Sequence, residues 1–173
     1  MNYFTEELFN SVKKQKKKTL INYFIVLGVY LAISLGLFIW FRTLTYRSKT
    51  ITIIKVLHYT LSAVMVFFSF IYLGIKYKMV KKFYKALNNV KIGIKEEYVA
   101  EFIGCDETLQ TKEGVEYKCL LFKEWNKYKK DFYERKVLVF YELPFPEIET
   151  GKKVKFITQA NLLVEYEYIT ENN

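Results

Sequence analysis

The sequence predicts an α+β membrane protein, a two-helix transmembrane hairpin followed by a small five-stranded antiparallel β-barrel or curled sheet. Three observations lead there. Two long stretches carry no formal charge, the apolar period changes from helical to alternating near Gly93, and charge divides unevenly along the chain. The first 93 residues hold 15 Lys and Arg against 2 Asp and Glu, a balance of +13, whereas residues 94–173 hold 12 against 16, a balance of −4. The mean hydropathy of +0.01 averages over this split and so resembles that of an ordinary soluble protein. A length of 173 residues suits one or two small units.

Residues 1–18 read as a basic amphipathic segment. Phe4, Leu8 and Val12 recur every four residues behind Thr5, a residue type that caps helix N-termini. The run that follows carries Lys13, Lys14, Lys16, Lys17 and Lys18, which suit anionic lipid headgroups. The expectation is a helix lying in the membrane interface.

Residues 19–75 form the expected hairpin, with spans at 19–41 and 56–75. The first is 23 residues without a charge, which as a helix covers about 34 Å, enough for a hydrocarbon core of about 30 Å. The second adds 20 residues without Lys, Arg, Asp or Glu. The first stretch is too long for a signal-peptide core, and no A-x-A site follows it. Five lysines precede the first span, and Lys76, Lys78, Lys81, Lys82 and Lys85 follow the second. The connecting loop carries Arg42, Arg47, Lys49 and Lys55. This bias places both termini in the cytoplasm, with the hairpin in the cell membrane. Two cysteines in a reducing compartment then need no disulfide.

Gly28, Ala32 and Gly36 repeat every four residues and line one side of the first span, a helix-packing face. Its expected occupant is the second span, through Ser62 and its neighbours, with self-association as the alternative. Tyr23, Trp40 and Phe41 suit an aromatic belt, and Asn22 and His58 are expected near the span ends, where water or headgroups satisfy them. Residues 76–93 read as a basic juxtamembrane helix. Met79, Val80, Phe83, Leu87 and Val90 keep a 3–4 spacing, and the helix breaks near Gly93.

Residues 94–173 read as a cytoplasmic β-domain, with strands near 98–103, 115–123, 135–142, 153–158 and 162–169. Residues 125–132 read as a helical connector. In the last hairpin, opposing Lys and Glu sets centre the turn on Ala160. Lys155 then faces Glu165, Lys153 faces Glu167, and Asn161 takes the left-handed position of a three-residue loop. Residues 136–141 are apolar on both faces and read as the central strand.

Several chemistries lack their residues. One His and two Cys cannot build the usual nitrogen and sulfur zinc site, and no CxxC or HExxH is present. The seven glycines never form GxGxxG or GxxxxGK[ST]. Neither a metal nor another cofactor is expected. Cys105 and Cys119 read as unpaired structural thiols. Glu142, Glu147 and Glu149 have no His or nucleophile beside them for acid–base work. Trp125, Tyr128, Phe132 and Tyr133, interleaved with Lys127, Lys129 and Lys130, suggest base stacking, but the acidic balance of the domain argues against nucleic acid.

The expected function is therefore non-enzymatic. It is that of an integral membrane accessory or scaffold protein whose β-domain binds a protein partner or regulates a membrane complex. The expected docking loop is Pro144, Phe145, Pro146 and Ile148. The alternative is a homo-oligomeric channel or transporter subunit packed through Gly28, Ala32 and Gly36. Richness in Lys, Ile, Tyr, Phe and Asn suits an AT-rich bacterial genome.

Overall fold

The computed structural model describes residues 2–44, 49–126, 128 and 130–169. The chain divides into two compact units, Lys13–Lys81 and a second made of Met1–Val12 with Lys82–Asn173. Arg47, Lys127 and Lys129 lie outside the described residues.

Helix α1, Glu6–Thr43, is one uninterrupted helix. It starts where Thr5 Oγ1 accepts the Leu8 amide at 3.1 Å, with Glu6 and Glu7 in the first turn beside the helix's positive end. Helix α2, Thr50–Ile71, continues through a π-helical segment, Tyr72–Tyr77, into α3, Lys78–Ile92. The run stops at Gly93, whose amide bonds the Asn89 carbonyl at 2.8 Å. Both Glu6–Thr43 and Thr50–Ile92 are long and apolar enough to cross a membrane. Helices this apolar in a soluble protein would be buried in its core. Here none of the apolar window of the first is buried and only 6% of the second.

The β-domain follows, with β1 Glu96–Lys112, β2 Val115–Asn126, β3 Asp131–Phe140, β4 Lys153–Gln159 and β5 Leu162–Tyr168. Four of the pairings are antiparallel, and the order runs round a ring, β1-β2-β3-β5-β4 and back to β1. The β3–β5 junction is a single parallel pair, Leu138 with Leu162. Asn2 adds a one-residue sixth edge by bridging to Glu165. The expected five-stranded antiparallel barrel or curled sheet is thus found as a curled sheet, and it is mixed rather than wholly antiparallel. One bridge supplies too few hydrogen bonds to make a continuous closing ladder.

Two further expectations change. Residues 125–132 are no helix: β2 and β3 run out to Asn126 and Asp131 and form a long hairpin. The β4–β5 turn is two residues long, with Ala160 and Asn161 both left-handed at φ 48° and 66°. A bulge between Ile157 and Thr158 then shifts the register, so Lys155 faces Glu167 and Ile157 faces Glu165. Lys155 pairs with Glu97 of β1 at 2.9 Å.

Alternation along β3 explains its continuous apolar run. Val137 and Val139 point into the curl, where Phe122 stacks on Phe156 at 4.2 Å between centroids. Leu138 and Phe140 point outward into a second core, which α3 covers with Phe83, Leu87 and Val90. Phe9 and Val12 of α1 complete that second core, with Phe4 and Leu8 partly buried against it. The amides of Tyr3 and Phe4 bond the Val164 carbonyl at 2.8 and 3.3 Å. The apolar face expected to lie in the membrane interface is therefore used by the β-domain itself.

Candidate functional site: the helical hairpin and the β-domain surface

The hairpin is held by a polar seam. On α1, Tyr23, Leu27, Tyr30, Ser34 and Leu37 are half-buried at alternating spacings of three and four residues. This spacing keeps one stripe facing a neighbouring helix. Ile54 and Met65 are the buried residues of α2, with His58, Ser62 and Ser69 half-buried beside them. Tyr23 donates to Ser69 at 3.1 Å. The Ser62 hydroxyl donates to the His58 carbonyl at 2.8 Å, which leaves its oxygen to accept from Tyr30 at 3.0 Å. Ser34 and His58 Nδ1 lie 3.5 Å apart. At the other end of the seam, Tyr72 donates to the Thr19 carbonyl at 3.2 Å. His58 thus lies two helical turns into α2 and faces Ser34.

The same geometry moves the glycine stripe away from the second span. Gly28, Ala32 and Gly36 are all exposed, and a Cβ added at Gly28 or Gly36 would meet nothing within 4 Å. The expected occupant of this face is therefore corrected: α2 packs on the Tyr23, Tyr30, Ser34 stripe instead. The reason is chemical, because hydroxyls that bond one another across the seam gain more by facing α2 than glycines would. Lys13, Lys14, Lys17 and Lys18 are exposed before the first apolar stretch, and Lys16 is half-buried. Lys76, Lys78 and Lys81 are exposed after the second, with Lys76 Nζ 5.3 Å from the centroid of the Tyr72 ring. Lys82 is half-buried at the start of the β-domain unit.

The proline loop is spent largely on its own domain. Ile148 belongs to the core inside the curl, Pro146 is buried, and Phe145 packs partly against the same core. Pro144 and Glu147 remain exposed. Lys118 Nζ sits 5.4 Å from the Phe145 ring centroid and 5.0 Å from that of Tyr141. The largest aromatic exposure in the β-domain lies instead at the β2–β3 tip. Trp125 and Phe132 are about half exposed and pack edge to face at 4.8 Å, and Tyr128 is 97% exposed. A helical connector at residues 125–132 would have no such tip. The run of β-favouring aromatics on either side of Asn126 was the available signal for a hairpin.

At one end of the curl, Arg135 reaches across the strands. Its guanidinium lies 3.5 Å from the centroid of the Tyr98 ring, pairs with Glu124 at 3.0 Å and donates to Asn161 Oδ1 at 3.1 Å. Arg135 Nε and Thr158 Oγ1 are buried without a hydrogen-bond partner among the described residues. Cys119 is buried and Cys105 exposed, both as free thiols, and burial pushes the Cys119 thiol up from its ordinary value. Glu142, Glu147 and Glu149 are exposed. Among the described residues, no three His, Cys, Asp or Glu side chains gather into a metal-holding group. No family profile matches this chain, and no curated protein matches its sequence.

Proposed function

We propose that this chain is a non-enzymatic accessory protein of the cell membrane. It crosses twice, at about residues 19–41 and 56–75, with both termini in the cytoplasm. In this reading the hairpin docks beside a helix of a membrane partner, and the β-domain works on the cytoplasmic side of that complex. One observation carries it. The hairpin satisfies its own polar groups through the Tyr23–Ser69 and Tyr30–Ser62 bonds, yet leaves the Gly28, Ala32, Gly36 face uncovered. A smooth small-residue face permits close backbone approach of another helix, a recurrent basis of helix association in lipid. The β2–β3 tip, with Trp125, Tyr128 and Phe132 exposed, supplies a second surface for the same partner. The positive balance of residues 1–93 supports the orientation and contact with anionic lipids.

The same uncovered face supports a second reading, a homo-oligomer in which two copies meet through Gly28 and Gly36. Crosslinking in native membranes, followed by purification and a particle-mass measurement, separates the two. A stoichiometric foreign protein, lost on Gly28→Leu with Gly36→Leu, is the expected result. A homo-oligomer lost on the same change selects the second reading. Either assembly surviving the change intact overturns the role given to the glycine face.

A further inference from the structure

A cleft of about 280 Å³ lies wholly within the β-domain unit, between α3 and the sheet. Its floor is apolar, with Val90, Leu138 and Leu162. Its rim is cationic, with Lys82 and Lys85 on α3 and Lys112 at the end of β1, against one carboxylate, Glu113. Lys85 pairs with Glu113 at 3.3 Å, which leaves two cations unneutralised. Lys82 and Lys112 have no hydrogen-bond or ion-pair partner among the described residues.

Two details show that the cleft is arranged. The β1–β2 turn places Glu113 and Gly114 in the left-handed region, at φ 53° and 74°. Lys82 Nζ occupies the place that a side chain at Gly114 would fill, so the glycine seats this ammonium over the turn. Tyr117 also lines the cleft, and its hydroxyl, which has no hydrogen-bond partner among the described residues, is not sealed from solvent. Two ammonium groups and a phenol above an apolar floor match an anion with several acceptor oxygens carried on a short carbon stem.

We infer that this cleft binds the phosphate group of a phosphate ester, with Lys82 and Lys112 as its charge partners and Tyr117 as a third donor. Glycerol phosphate has this chemistry both as a free compound and as the headgroup linkage of phosphatidylglycerol. The inference stands apart from the accessory reading, since it needs neither a protein partner nor the glycine face.

The test uses the full chain in neutral detergent. Glycerol 3-phosphate is titrated calorimetrically, and retained phosphatidylglycerol is counted by native mass spectrometry. The Lys82→Gln, Lys112→Gln double variant is expected to weaken saturable binding at least about tenfold, and Tyr117→Phe by a smaller factor. A control pair, Lys95→Gln with Lys152→Gln, removes the same charge outside the cleft and should leave binding unchanged. Binding of the free ester identifies a soluble ligand. Retention of the lipid alone identifies a headgroup. Thermal unfolding of each variant verifies that the fold persists. Absence of saturable binding by either probe overturns the inference, as does equal weakening by the control pair.

Discussion

Inside the hairpin, hydroxyls and an imidazole from Tyr23, Tyr30, Ser34, His58, Ser62 and Ser69 meet one another beside the buried Ile54 and Met65. Its outer surface carries Phe24, Ile25, Phe38, Phe67 and Phe70, each more than half exposed. The β-domain is built the other way round. Phe122, Phe156, Val137 and Val154 are fully buried, while Lys and Glu occupy the outer positions of the same strands. A surface as apolar as that of the hairpin is stable against hydrocarbon, and a surface as charged as that of the β-domain is stable against water. Two units joined in one chain thus present surfaces suited to two different solvents, and in the hairpin polar bonds add to a small apolar core while apolar burial dominates the other unit.

The largest expected effect breaks the comparison from the β side. Phe122→Ala removes a fully buried ring stacked on Phe156 and should cost about 3–5 kcal/mol. Phe67→Ala, the same change on a side chain 70% exposed on α2, should cost less than about 0.5 kcal/mol. Denaturant unfolding of the full chain in neutral detergent measures both, and equal losses would erase the distinction. Next comes Glu124→Gln, which leaves Arg135 charged and largely covered, with Nε already lacking a partner. A loss of about 1–3 kcal/mol in the same assay is expected.

Within the seam, Ser62→Ala deletes the acceptor of Tyr30 and should cost only about 0.6 kcal/mol, a typical value for a hydrogen bond between membrane helices. Steric-trap or detergent unfolding of the hairpin reads this. The smallest effect at neutral pH is that of Tyr3→Phe, because the Tyr3 hydroxyl is buried without a partner among the described residues. Burial, helped by Tyr166 and Glu147, pushes the Tyr3 phenol from 10.0 up to about 12. The unfolded chain therefore loses this proton first as pH rises, and stability from the neutral phenol drains away between pH 10 and about 12. Tyr3→Phe should flatten that alkaline limb relative to the parent chain in parallel pH titrations of stability.

What the sequence shows of this architecture depends on whether a pattern names its own partner. The two apolar helices were legible from the run of uncharged residues, and the cap at Thr5 from a single residue type. The inward face of α3 followed from the spacing of Phe83, Leu87 and Val90. The burial of β3 on both faces followed from its unbroken apolar run, but the central place expected of it did not, since it pairs fully with β2 and through one bridge with β5. The docking of Phe9 and Val12 on the sheet was not legible, because an amphipathic turn looks the same whether lipid or a protein core receives it. Helix α1 likewise carries two stripes at once, Gly28, Ala32 and Gly36 beside Tyr23, Tyr30 and Ser34. Only their alignment against His58, Ser62 and Ser69 shows which one meets α2. Charge pairing does not set the register of the last hairpin. The two-residue left-handed turn and the bulge set it instead, and Lys155 finds Glu97 on the neighbouring strand.

The chain's two tryptophans divide between the two regions: Trp40 is about half exposed on α1, and Trp125 about half exposed on the β2–β3 tip. Each can be left as the sole fluorophore by replacing the other with Phe in protein reconstituted into bilayers. The contrast between the units predicts that lipids brominated near the top of the acyl chain quench Trp40 strongly, while aqueous iodide hardly reaches it. Trp125 should respond more to iodide than Trp40 does. Iodide quenching of Trp40 as strong as that of a free indole, with no effect of brominated lipid, would contradict membrane insertion of the hairpin.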